Sequence, residues 1–143
     1  MSVEEIESAF PNLAGSGYEV TGDASAEYNC TACALGTTNR QWDYDRPHGY
    51  WPPSLPRNQE VGTLMRLFAS EGFSLCEDDA PDPSYEKIAL YAFVGQFTHV
   101  ARQLEDGQWT SKLGDLEVIT HPSLSSLAGG IYGNIHCIMR RPL

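Results

Sequence analysis

The sequence of 143 residues predicts an α+β fold, in which helical patterns come first and an antiparallel sheet follows. Apolar residues at helical spacing fill 59–71, whereas the stretch 73–113 contains short runs typical of strands. Asp106-Gly107, between the last two of these runs, is a strong hairpin signal. A chain of this length can bury a core of its own, so we expect a single domain over 1–143.

Three helices are predicted in the first half of the chain. Residues 3–9 form a short amphipathic helix, and 59–71 form a longer one with an apolar face. Between them, a helix begins near Cys30 and ends at Gly36, because glycine is common just past a helix C-terminus. Prolines and aromatic residues over 37–57 predict an ordered loop.

The strands of the predicted sheet lie mostly in the second half of the chain. Their segments are GYEVTG, FSLC, KIALYAF, FTHVARQL, WTSKL and NIHCIMRR. A short helical turn is expected between Ser123 and Leu127, before the last strand.

The composition excludes several classes of function. The formal net charge is −10 at pH 7, and the acidic residues are spread along the chain. Contacts to nucleic acid need clustered Lys and Arg, and the pair Arg140-Arg141 is too small a basic patch. The acidic start resembles no signal peptide, and no apolar run approaches the ~20 residues of a membrane span. We therefore expect a cytoplasmic protein with no nucleic-acid or membrane partner.

Cys30 and His99 form the candidate catalytic pair. A thiol in the first turn of a helix lies near the positive end of the helix dipole, which favours the nucleophilic thiolate. Backbone N–H groups of that turn could stabilise an oxyanion. His99 lies in a predicted strand, and its imidazole could take the thiol proton. A core position for either side chain is the alternative interpretation.

The segments YNCTACALG and THVARQLEDGQWTSK resemble the NlpC-like branch of papain-like cysteine peptidases. The resemblance implies a papain-like fold, with the helix that carries Cys30 packed on an antiparallel sheet. It also implies that Cys30 is the nucleophile, His99 the base, and Ser111, twelve residues later, the third catalytic residue. Over almost the whole chain, the YNC, YWPP, THVARQL and SKLG segments resemble a group of uncharacterised bacterial domains.

The side chain that accompanies His99 depends on the register of the predicted hairpin. A two-residue turn at Asp106-Gly107 places Lys112 on the face of His99 and gathers apolar side chains on the other face. A three-residue loop shifts the pairing by one residue and returns Ser111 to the His99 side. The sequence leaves both registers open.

The proline-rich loop is expected to shape a substrate cleft, although packing of its aromatic rings in the core is the alternative. The predicted substrate-binding residues, four from this loop and one from a later strand, are Trp42, His48, Tyr50, Trp51 and Lys112. The implied function is a thiol hydrolase or acyltransferase that acts on an amide or peptide bond without a cofactor. The rival hypothesis is a non-catalytic, immunity-type module whose acidic surface holds a basic protein partner.

Metal and redox chemistry are weaker alternatives. Cys30-x-x-Cys33 is half of a zinc signature, and His136-Cys137 and Cys76 could complete it. The same pair opens a helix, as redox motifs do, but it follows no clear βαβ strand. We therefore expect no metal site. His121, in ITHPSL, is expected in a surface loop.

Overall fold

One open antiparallel sheet dominates the computed structural model, which describes residues 2–37, 40–45 and 49–143. The strands are β1 (Glu19–Gly22), β2 (Ser74–Cys76), β3 (Tyr85–Phe93), β4 (Gln96–Gln103), β5 (Trp109–Lys112), β6 (Val118–His121) and β7 (Asn134–Pro142). They are hydrogen-bonded in the order β1-β6-β5-β4-β3-β7-β2, and each of these pairings is antiparallel.

The helices are short, and this overturns the predicted fold class. They are α1 (Val3–Ala9), α2 (Cys30–Leu35) and α3 (Val61–Ser70), with 3₁₀ turns at Pro11–Leu13 and Leu124–Leu127. At 1.5 Å per residue, α2 is only about 9 Å long, so it cannot form a layer of its own. The papain-like α+β arrangement, with the helix of Cys30 packed on the sheet, is therefore wrong. In the described part of the chain, no helix has the length and apolarity needed to cross a bilayer.

Local capping explains where the predicted helices begin and end. Ser2 and Glu5 form a reciprocal capping box at the start of α1. The side chain of Asn29 accepts a hydrogen bond from the N–H of Ala32, and thereby caps α2. Gly36 ends α2 in the left-handed conformation, with φ of 75°. The predicted start and end of this helix are confirmed.

The buried side chains form two clusters that cover opposite faces of the sheet. Successive residues of β3 alternate between them, since Ile88 and Leu90 enter one cluster and Ala89 and Tyr91 enter the other. The first cluster contains residues of α2 and α3, Cys30 among them. The second contains residues of α1 and of both 3₁₀ turns.

The loop of the hairpin between β4 and β5 has three residues. The N–H of Leu104 donates to the carbonyl of Gln108 at 2.7 Å, which leaves 105–107 as the loop. The second of the two predicted registers is therefore confirmed. Ser111 lies on the His99 side, and their side chains are hydrogen-bonded.

The hairpin between β3 and β4 contains a strained residue. Phe93 pairs with Gln96, so Val94 and Gly95 form a two-residue turn in which both have positive φ. Val94 is 85 % exposed and has φ of 51°, a region in which β-branched residues are disfavoured. The conformation of Val94 therefore lowers the stability of the protein, and the exposed side chain makes no packing contacts that would compensate.

We expect Val94→Asn to raise the free energy of unfolding by about 1 kcal/mol, because Asn tolerates the left-handed region. Urea unfolding followed by circular dichroism measures the change. Val94→Thr is the matched control, since it adds a polar group but remains β-branched, and it should change stability little. Equal stabilisation by Asn and Thr would show that the effect comes from the added polar group and not from relief of backbone strain.

Candidate active site and adjoining cavity

Cys30 is the first residue of α2, directly after the cap residue Asn29. Its side chain is buried, and polar groups of Val100 and Thr31 favour the ionised form of the thiol. Burial is the largest influence on this thiol and raises its pKa to about 11, against the opposing effect of the Val100 hydrogen bond. Cys30 is therefore a neutral thiol at pH 7, not the thiolate that a position at a helix start suggested.

His99 immediately precedes Val100 on β4 and is fully buried. Its ring stacks on that of Tyr132, with the centroids 4.3 Å apart and the planes parallel. The ring of Tyr91 lies on another side of it, at 5.5 Å. These contacts fix the plane of the imidazole.

A chain of hydrogen bonds runs from His99 through Ser111 to His121 and the backbone. His99 Nε2 lies 2.9 Å from Ser111 Oγ, and this oxygen lies 2.8 Å from His121 Nε2. His121 Nδ1 is 2.9 Å from the carbonyl oxygen of Ser123. We refer to His99, Ser111 and His121 as the histidine relay.

The direction of each hydrogen bond follows from the carbonyl at the end of the relay. A carbonyl only accepts, so His121 Nδ1 carries the proton and its Nε2 is an acceptor when the ring is neutral. The Ser111 hydroxyl therefore donates to His121 and accepts from His99 Nε2–H. This leaves His99 Nδ1 as a lone pair, and it has no hydrogen-bond partner among the described residues.

Burial keeps both histidines of the relay neutral. It lowers the pKa of His99 well below its ordinary value of 6.5, and the charge of a protonated His121 would lower it further. Burial also lowers the pKa of His121, against the opposing hydrogen bond to Ser123. The tautomers assigned above are therefore the forms present at pH 7.

The thiol and the imidazole approach the same segment of β4 from different core clusters. Cys30 belongs to the first cluster, whereas His99 packs beside Tyr91 of the second. The backbone N–H of Val100, the residue that follows His99, lowers the pKa of Cys30. A charge on Cys30 also affects the pKa of Tyr132, whose ring stacks on His99. His99 Nδ1 makes no hydrogen bond to Cys30 or to any other described residue.

Cys30 lies in the wall of a cavity of about 260 Å³, whereas His99 does not. The other lining residues come from the start of α2, the proline-rich loop, the segment 59–64, β4 and the residues that follow β5. They are Asn29, Thr31, Gln41, Trp42, Asp43, Tyr44, Trp51, Gln59, Leu64, Phe97, Thr98, Gly114 and Asp115. A molecule in this cavity would therefore contact Cys30, whereas His99 is not one of the residues that line it.

Only some of the predicted substrate-binding residues line the cavity. Trp42 and Trp51 line the cavity, and both are also buried in the first core cluster. Tyr50 packs edge-on against Trp42, with the ring centroids 4.7 Å apart, but does not line the cavity. His48 lies outside the described residues.

Lys112 is fully buried and is not one of the residues that line the cavity. Its ammonium donates to the carbonyl oxygens of Ser25 and Gly114, at 2.7 Å and 2.6 Å, and lies 4.9 Å from the ring of Tyr28. Desolvation lowers its pKa, against the opposing charge of Asp115. These contacts give Lys112 a role in holding the segment before α2 against β5.

His121 is the residue of the relay that sequence reasoning missed, because its expected place in a surface loop is wrong. It ends β6 and is fully buried. The available signal was period-two alternation in VITH, which places His121 on the same face as the buried Ile119. Pro122, which follows His121, indicated a loop, so the strand was not predicted.

The cysteines give no support to the zinc and redox alternatives. The chain has four cysteines, and all of them are free: Cys30, Cys33, Cys76 and Cys137. Within the ranges that the structure describes, no three His, Cys, Asp or Glu side chains are grouped so that they could hold a metal ion.

One family model matches the chain, and it is described as "Domain of unknown function (DUF7689)". The match covers residues 19–140, which contain Cys30, the whole histidine relay and the cavity. No curated protein and no solved structure is significantly similar to the chain. The resemblance to NlpC-like peptidases therefore has no support, whereas the resemblance to an uncharacterised domain group is confirmed. The chain belongs to the DUF7689 family.

Proposed function

We propose that this protein is a thiol hydrolase or acyltransferase in which Cys30 is the nucleophile and His99 the base. The observation that carries the proposal is the histidine relay. It holds His99 in the tautomer that leaves Nδ1 as an unpartnered lone pair, one residue before Val100, whose backbone N–H favours the ionised form of Cys30. A buried basic nitrogen without a partner costs free energy, and such costs are typical of functional sites.

Acylation begins with a neutral Cys30 thiol and a neutral His99 imidazole. Cys30 Sγ attacks the carbonyl carbon of an amide or ester in the cavity, and its proton passes to His99 Nδ1. The bond from carbon to the leaving nitrogen or oxygen breaks, and His99 returns the proton to that atom. Water or another nucleophile then attacks the thioester and gives its proton to His99. The bond from the acyl carbon to Sγ breaks, and His99 returns the proton to Sγ, which releases the acyl group and regenerates the thiol.

Two further parts of the site assist this step. The orphan N–H groups at the start of α2 could donate to the oxyanion that forms on the attacked carbonyl. Ser111 and His121 stabilise the positive charge that develops on His99, because His99 Nε2–H donates to Ser111 and the Ser111 hydroxyl donates to His121. Both are positioning residues, since neither lies in the cavity wall.

The proposal is tested by trapping the acyl-enzyme. The protein is incubated with p-nitrophenyl acetate, and the acetylated residue is found by intact-mass measurement and peptide mapping. We expect one acetyl group on Cys30, none on the Cys30→Ala variant, and unchanged labelling of the matched variant Cys33→Ala. Acetylation spread evenly over Cys76 and Cys137, or its absence at Cys30, would contradict the proposal.

A non-catalytic binding module is the second candidate. It is favoured by the high pKa of the Cys30 thiol, by the complete burial of His99 and by the net charge of −10. In that case the cavity binds a ligand or basic protein without covalent chemistry. Failure of Cys30 to acetylate, together with retained ligand binding, would favour this function over acyl transfer.

A further inference from the structure

We infer that two copies of this chain form a symmetric dimer, in which the open edge of β7 pairs antiparallel with the same edge of the second copy. The open edge is the segment 134–137, which pairs with β3 on one side and with no described strand on the other. This inference goes beyond the proposed function, because no residue of the open edge lines the cavity beside Cys30.

The edge is open because β2 is much shorter than its neighbour. β7 has nine residues, whereas β2 has three and pairs only with Ile138, Met139 and Arg140. The residues of the open edge are exposed or half-buried, so a further strand can approach them. An unpaired edge presents backbone donors and acceptors on which another strand can add to the sheet.

The shape of the open edge suits a second copy of itself. The chain turns just before it, at Gly133 with φ of 73°, and β2 pairs with the residues just after it. Between these limits, four residues span about 13 Å. In an antiparallel pair related by a two-fold axis, the open edges face each other, and β2 of each copy lies beyond the end of the partner's segment. Such an interface is closed, so it produces dimers and not fibres.

The segments at this end of the sheet carry no charge, although the chain has a net charge of −10. Residues 88–101, which form most of the β3–β4 hairpin, and residues 118–139, which lead into β7, contain no Asp, Glu, Lys or Arg. The opposite edge of the sheet is β1, which begins with Glu19 and is followed by Asp23. Two acidic copies repel each other where carboxylates meet, so they approach most easily at the uncharged edge, whereas acidic side chains protect β1.

Exposed apolar side chains adjoin the open edge. Ile135 lies within it, Phe93 ends the neighbouring strand β3, and Ile131 precedes the turn at Gly133. All three are exposed, and Gly133 lies close to Phe93, which brings the turn and the end of β3 together. Contact with a second copy would remove part of this apolar surface from water.

Sedimentation equilibrium of the parent protein over a range of concentrations tests the dimer. We expect a dissociation constant on the order of 10 µM, because only four residues of each strand pair and β7 has a bulge opposite Tyr91. Added salt should strengthen the dimer, because it screens the repulsion between two acidic copies. A contact between opposite charges would instead weaken in salt.

Ile135→Lys places a charge on the open edge and should weaken association at least about tenfold. Val20→Lys is the matched control, because it makes the same change of charge at an exposed residue of the β1 edge, and it should alter association little. Equal effects of the two variants would exclude β7 as the interface.

Hydrogen exchange of the parent protein tests the interface without a substitution. The N–H groups of 134–137 should exchange more slowly at a concentration well above the dissociation constant than well below it, whereas those of β1 should not change. A monomer at every concentration, association that weakens in salt, or exchange over 134–137 that does not depend on concentration would overturn the inference. Acetylation of Cys30 is measured separately, so failure of the dimer leaves the proposed acyl transfer standing.

Discussion

The His99→Gln variant is expected to acetylate Cys30 about 10²–10⁴ times more slowly than the parent protein. The thiol has a pKa of about 11, so at pH 7 almost none of it is thiolate. The rate therefore depends on a base that removes the proton as the bond to carbon forms. Release of p-nitrophenolate at fixed pH measures this rate, and the difference should shrink above pH 10, where solvent ionises the thiol.

Ser111 variants test whether the relay positions His99. Ser111→Ala removes the group between the two imidazoles with little change in volume, and we expect a loss of about tenfold to a hundredfold. Ser111→Thr keeps the hydroxyl and should recover part of the rate. Ser126→Ala is the matched control, because Ser126 is buried but bonds only to Ser123. Equal effects of the two alanine variants, or a parent-like rate without His99, would contradict base catalysis through the relay.

Acidification from pH 6.5 to pH 5 is expected to destabilise the protein through His99, by on the order of 1 kcal/mol. The folded pKa of His99 is well below its unfolded value of about 6.5, so the unfolded chain binds more protons in this window. Stability is therefore complete above pH 6.5 and falls as the pH decreases toward the folded pKa. His121 acts in the same direction, because its pKa is also lowered. Urea unfolding at several pH values measures the slope.

A histidine outside the core provides the control for this pH dependence. His99→Gln should reduce the slope, because the folded variant no longer contains a buried imidazole that resists protonation. His136→Gln replaces an exposed histidine of β7 and should leave the slope unchanged. A parent slope near zero, or equal slopes for both variants, would show that His99 is protonated in the folded protein.

The sequence by itself determined the local structure around Cys30 and His99. An alanine-rich run followed by a glycine was enough to predict α2 with Cys30 in its first turn. Alternating apolar residues predicted the strand that carries His99. These predictions succeeded because capping and side-chain alternation depend on residues only a few positions apart.

Only the tertiary structure decided the fold class and the partners of the candidate pair. The order of seven strands depends on pairings such as that of β1 with β6, whose residues are about one hundred positions apart. The relay likewise needs β4, β5 and β6 side by side, which brings His121 to Ser111. The same assembly buries Cys30 and His99 and keeps both neutral, whereas the helix start alone suggested a thiolate. Burial and long-range pairing are properties of the whole chain, so local pattern predicted the elements that carry Cys30 and His99 but not the ionisation or the neighbours of these residues.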